Sequence, residues 1–96
     1  MTQYFLIRYR QTGSNELREE KRGDHVAYRK GLGAALALAG PLLDDAGKPV
    51  GSVIILGAAD REQAERIATG DPFVVAGLLQ LDSIEAMRIA AMIPPA

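Results

Sequence analysis

The stretch PLLDDAGKPVGSVIILGA, Pro41–Ala58, decides the fold. Val53, Ile54, Ile55 and Leu56 form an unbroken apolar run. A run that short, bounded by turn formers, marks a strand covered on both faces. Asp44, Asp45 and Gly47 supply the turn chemistry ahead of it. Pro41–Leu43 is a brief strand candidate that would pair with Gly51–Ala58 as a hairpin.

Toward the N-terminus, Gln3–Arg10 (QYFLIRYR) is rich in aromatic and β-branched residues and reads as another strand. Its two alternating faces, Gln3, Phe5, Ile7, Tyr9 and Tyr4, Leu6, Arg8, Arg10, both carry apolar side chains. QTGSNE then forms a loop. From Leu17 to Ala39 the period becomes helical, with Tyr28, Leu32, Ala35, Leu36 and Ala39 on one face. Gly31 and Gly33 each weaken that helix by about 1 kcal/mol relative to Ala, and Gly40-Pro41 stops it.

Past the hairpin, Asp60 caps a second helix, with Gln63 at capping-box spacing and Ala64, Ile67 and Ala68 facing inward. Gly70 ends it. Asp71 then caps a short helical turn with Pro72 at its first position. The segment LLQLDSIEAMRIAAMIPPA is open to two readings. Helix propensity favours SIEAMRIAAM, whereas alternation of Ile84, Ala86, Arg88 and Ala90 with Ser83, Glu85, Met87 and Ile89 makes a strand.

The order β, α, β, β, α and a final β is an α+β, ferredoxin-like βαββαβ sandwich, one domain over residues 1–96. Two helices cover only one face of such a sheet, yet its strands are apolar on both. The uncovered face therefore predicts a homodimer or a higher homo-oligomer, with two sheets facing each other.

Composition narrows the function. The chain has 96 residues, no cysteine and one histidine, which excludes disulfides, thiolate metal sites, a cysteine nucleophile and a multi-histidine metal site within one chain. The net charge is −1 and aromatic residues make up 5%, with no basic stripe, so no nucleic-acid partner is expected. The opening MTQYFLIRYR lacks a signal-peptide pattern, and no uncharged apolar run reaches the ~20 residues that span a bilayer. A soluble cytoplasmic protein without a membrane partner is expected.

The segment from Arg22 to Leu56 and the GDPFVVAGL that follows Thr69 resemble the YciI-like (YCII-related) family. The matching pieces are Arg22, His25 and Tyr28; Ala39-Gly40-Pro41-Leu42; Pro49, Gly51 and Ser52; and Asp71-Pro72-Phe73 leading into Ala76-Gly77-Leu78. The resemblance spans about Tyr4 to Glu85. It implies a dimeric α+β barrel of ferredoxin-like protomers and a fourth strand near Leu81–Met87. The segment LLQLDSIEAMRIAAM is longer than the usual family tail. The resemblance also implies a site in which a histidine and an aspartate meet, matching His25 and Asp71.

A carboxylate bonded to one imidazole nitrogen fixes the tautomer and leaves the other as a base. His25 and Asp71 are accordingly the candidate catalytic pair. Arg22 and Arg29, one turn either side of His25, together with Tyr28 and Ser52, are the candidate substrate contacts. Each also has a structural reading: His25 as a packed ring, Asp71 as a plain cap, Tyr28 as core, the arginines as a solvated helix face. No cofactor motif and no metal site are present. The expected activity is cofactor-free isomerase or lyase chemistry on a small aromatic or lactone-like molecule. That substrate class is taken from wider relatives of the barrel such as muconolactone isomerases. The alternative is a non-catalytic metabolite-binding or structural dimer.

Overall fold

The computed structural model describes residues 2–93. The two ends of the expected 1–96 domain, Met1 and Pro94–Ala96, lie outside the described residues. The elements are β1 (Gln3–Gln11), α1 (Asn15–Gly31), β2 (Leu36–Leu43), β3 (Pro49–Ala58), α2 (Arg61–Thr69), α3 (Pro72–Val75) and β4 (Leu79–Met87). The four strands form one antiparallel sheet in the order β2-β3-β1-β4. This is the ferredoxin-like βαββαβ fold, with α3 as an extra turn.

The central pair sets the layers. Phe5 lies opposite Leu56, Ile7 opposite Ile54 and Tyr9 opposite Ser52. All six side chains turn to the helix-covered face, where Phe5, Ile7, Tyr9, Ile54 and Leu56 join Ala64, Ala68, Phe73, Leu78 and Leu79 in the core. The intervening residues Leu6, Val53 and Ile55 point to the other face and stay half-buried. The apolar character of both strand faces thus has a structural counterpart: one face is covered by helices and the other is not.

The first helix is shorter than its apolar period predicts. Ser14 caps it by accepting the Leu17 N–H at 3.2 Å. The helix ends at Gly31, and the chain passes through a 3-10 turn at Gly33–Ala35. Gly33 sits at φ +57°, a left-handed conformation that reverses the chain and that other residues rarely adopt. Leu36 and Ala39 therefore lie in a strand and not on a helix face, with Ala39 opposite Ile54 and Pro41 opposite Ser52. The helix preference of LALA is a few tenths of a kcal/mol per residue, too little to outweigh a row of backbone bonds to β3. Pro41 is tolerated because β2 is an edge strand.

The remaining caps follow local chemistry. Asp60 accepts from the Gln63 N–H at 2.8 Å, while the Gln63 side chain reaches back to the Ala59 N–H. Asp71 accepts from the Phe73 N–H at 2.8 Å and Pro72 opens α3. The final segment resolves as a strand: Leu6 faces Glu85 and Ile7 faces Ile84. It starts at Leu79, two residues before the strand that the family resemblance implies, and Arg88–Ile93 is not helical. Pairing to β1 overrides the helix propensity of SIEAM.

Gly51 of β3 pairs with Arg10 of β1 and packs tightly against that strand. A Cβ there would collide with the Tyr9 carbonyl oxygen of β1. Gly51→Ala is expected to cost about 1–3 kcal/mol, as overpacking does. The check is a lowered urea midpoint with an unchanged slope.

Candidate functional site

Helix α1 has no fully buried residue. It rests on the α2–α3 corner largely through polar side chains, and these gather on Asp71. The Asp71 carboxylate is 2% exposed. Its Oδ1 lies 2.7 Å from His25 Nδ1 and accepts the Phe73 N–H at 2.8 Å. Its Oδ2 accepts Arg29 Nε–H at 3.0 Å. A cap of α3 is thereby also the anchor of α1.

Burial by itself raises the Asp71 pKa. The hydrogen bonds from His25 and the Phe73 N–H, with the charges of His25 and Arg29, oppose it and hold the carboxyl below its ordinary range. An ionised carboxylate only accepts, so the hydrogen between Asp71 and His25 belongs to Nδ1. Nε2 has no hydrogen-bond partner among the described residues and is not a sealed-off atom. The imidazole plane is set by Phe73, whose ring stacks on it at 3.9 Å between centroids and 4° between planes.

Beside this group lies a cavity of about 290 Å³, small for a ligand pocket. Arg18, His25, Arg29 and Phe73 form its helix side, and Ala39–Pro41, Gly51, Ser52 and Leu79 its sheet side. Ser52 is buried on β3, with Oγ donating to the Gly40 carbonyl and accepting from Arg29 Nη1, each at 3.4 Å. The Arg29 guanidinium also lies over the Tyr9 ring, 5.7 Å from its centroid. Burial drives the Tyr9 hydroxyl far above its ordinary pKa, and that hydroxyl donates to the Ala68 carbonyl at 3.0 Å.

Four of the six expected site residues, His25, Asp71, Arg29 and Ser52, are therefore brought together. Arg22 stands outside the cavity, paired with Glu19 at 2.6 Å, and lines an adjoining groove. Tyr28 does not line the cavity. Its hydroxyl donates to the Ile67 carbonyl at 2.8 Å and ties α1 to α2. Arg18 and Phe73 line the cavity without having been expected there. Arg18 lies seven residues before His25, two helical turns on the same face, with its guanidinium 5.6 Å from the Phe73 centroid. That spacing was the available signal, hidden among other charged residues of α1.

The model of the YCII-related domain matches residues 2–88. The chain belongs to the YCII-related domain family. A solved structure similar to this YCII-related chain is the 5-chloro-2-hydroxyhydroquinone dehydrochlorinase TftG from Burkholderia phenoliruptrix AC1100, in complex with 2,5-dihydroxybenzoquinone. It shares 27% identity, with 92% of each chain covered and a TM-score of 0.66. No curated protein matches the chain. Among the described residues no three His, Cys, Asp or Glu side chains cluster as a metal site. Nor is any helix among them long and apolar enough to cross a membrane.

Asp71 links pH to stability in this YCII-related fold. Its pKa is depressed on folding, so its contribution is complete above the ordinary carboxylate value of about 3.9 and is lost as pH falls through the lower folded value. Below about pH 4 the native chain should lose unfolding free energy more steeply than Asp71→Asn, read by urea unfolding at several pH values. Near neutrality Asp71→Asn should be the less stable of the two by about 3–5 kcal/mol, because Arg29 is left without its counter-charge.

Proposed function

We propose that this chain is a small-molecule enzyme that moves protons with His25 as general acid and base. The observation that carries the reading is the 2.7 Å contact of His25 Nδ1 with the buried Asp71, which leaves Nε2 free beside a cavity. A proton on a substrate C–H or O–H passes to Nε2, and the electron pair left behind forms a new double bond. Return of the proton at another atom completes an isomerisation; departure of an anionic leaving group completes an elimination. Asp71 holds the ring in the tautomer that can accept and stabilises the imidazolium that forms. The scheme requires no cofactor.

The other residues take positioning and contact roles. Arg29 adds to His25 and the Phe73 N–H in keeping Asp71 ionised, and it holds Ser52 at the cavity wall, where the hydroxyl could exchange its 3.4 Å bond to the Gly40 carbonyl for a polar substrate atom. Arg22 belongs to the approach and Tyr28 to the seating of α1. The stacked Phe73 favours a flat, aromatic or quinone-like substrate. The similar protein's dehydrochlorinase activity supports the elimination branch of this chemistry on a hydroxylated ring.

His25→Gln should lower kcat by about 10²–10⁴-fold, the usual worth of a positioned proton-transfer group. The assays are chloride release from 5-chloro-2-hydroxyhydroquinone and isomerisation of muconolactone-type lactones. A substrate-independent check is the long-range ¹H–¹⁵N spectrum of the single histidine. The neutral ring should be protonated at Nδ1 in the native chain and lose that preference in Asp71→Asn. A ring protonated at Nε2, or one indifferent to Asp71, overturns the pair.

We further propose that a second copy of the chain covers the helix-free sheet face. Leu6, Val53 and Ile55 lie there half-buried, and Leu38 is 48% exposed at the β2 edge. Arg8 and Glu85, 4.0 Å apart on the same face, offer opposite charges that a two-fold axis can exchange. Native protein should sediment as a dimer or larger, and Ile55→Glu as a folded monomer.

A further inference from the structure

Outside the inner cavity lies a groove of about 690 Å³ that shares Arg18, His25, Pro41 and Phe73 with it. The groove is the approach to His25, and its charges do not balance. Arg18, Arg22 and Lys48 line it against a single carboxylate, Glu19, which is already paired with Arg22. Arg18 and Lys48 have no ion pair among the described residues. Deeper in, Asp71 and Arg29 compensate each other. Among the described residues, two cations without ion-pair partners thus line this groove beside the histidine.

Arg18 is the more informative of the two. It is partly buried, with its guanidinium over the Phe73 ring 5.6 Å from the centroid, and it lines both the groove and the inner cavity. Partial burial, and secondarily the neighbouring Arg22, lower its pKa, as for a cation held without its anion. Lys48 stands on the β2–β3 turn, at the opposite wall. A guanidinium held over an aromatic face by cation–π attraction uses none of its N–H donors in that contact and can still offer them to an acceptor.

We propose that the site selects planar anions, with Arg18 contacting an ionised ring oxygen and Lys48 drawing the ligand in from the opposite wall. The substrate class is then a ring acid: a phenolate, an enolate or a vinylogous carboxylate. This rests on the proton-transfer reading only in placing the ligand beside His25. Charge selection adds a reason for the base to work, since an oxygen anion held at Arg18 stabilises the charge that develops as a ring proton leaves.

The test uses 2,5-dihydroxybenzoquinone, a coloured vinylogous diacid ionised at neutral pH, titrated by its absorbance. Its neutral partner is 2,5-dimethoxybenzoquinone, the same ring with both charges removed. The native chain should bind the dianion at least about tenfold more tightly than the ether, more weakly as salt rises. Arg18→Gln should lose about tenfold in affinity, Lys48→Gln should lose less but flatten the salt dependence, and Arg18→Lys should recover part of the loss. Equal binding of dianion and ether, or an Arg18→Gln variant that is folded by circular dichroism and binds as native, overturns the proposal. The two readings fail separately. Charge-blind binding with a His25-dependent turnover sinks anion selection alone. Arg18-dependent binding with turnover indifferent to His25→Gln sinks proton transfer alone.

Discussion

The Asp71 carboxylate is the interaction on which both the fold's last layer and the site depend. It accepts from a backbone N–H, an imidazole and a guanidinium that come from two helices. A carboxylate this buried would strongly destabilise the chain if any of its charge were left uncompensated. Here the compensation is also the mechanical link, because α1 has no fully buried residue to hold it down. Tyr28 to Ile67 adds a second tie one turn away from His25. The helix that carries the histidine is thus seated by polar contacts at defined distances, with partly buried Leu17 and Leu32 packing near its two ends. Hydrogen bonds and the stacked Phe73 together hold the imidazole in one orientation, as the proposed base role requires.

The cavity exists because the chain turns back at Gly33. Had the helix run on to Ala39, no strand would border β3 on that side, and Ala39, Gly40 and Pro41 would not form a wall opposite His25. The hairpin then brings Ser52 to the floor and Lys48 to the rim with one turn. Phe73, placed by the cap that Asp71 makes, stacks on the imidazole and shapes the inner wall. Fold and site are therefore built from the same few residues.

The parts that were legible in the sequence are those governed by local chemistry. Asp60 with Gln63, Asp71 with Pro72, and the turn at Asp44–Gly47 each carry their backbone consequence in the side chain itself. The boundary between α1 and β2 was not legible. Leu and Ala favour helix, their spacing continued the period of Tyr28 and Leu32, and only pairing with Ile54 and Leu56, far along the chain, decides otherwise. The last strand was ambiguous for the same reason and was assigned through family likeness. The expectation that His25 and Asp71 meet came from that likeness too. Arg18 stayed hidden because a charged residue on a helix face is ordinarily solvated, and its phase with His25 gains meaning only once both are seen against the Phe73 ring.

The order of charges from the interior outward constrains any chemistry proposed here. Asp71 and Arg29 form a compensated pair at the base, the imidazole comes next, and Arg18 and Lys48, which have no ion pair among the described residues, line the groove outside. The compensated Asp71–Arg29 pair exerts little net pull on a ligand's negative charge, whereas the outer cations attract it. A ring anion would therefore be held against the nitrogen of His25 that Asp71 does not use. On the proposed reading, the deep carboxylate would stabilise the imidazolium while the outer cations stabilise the deprotonated ring, so proton transfer would separate charge into two regions that each already hold its complement. An arrangement with the cations inside and the carboxylate at the rim would oppose the same step. The linear order carboxylate, imidazole, cation is thus the feature that fits a small cavity with one histidine to the proposed proton transfer.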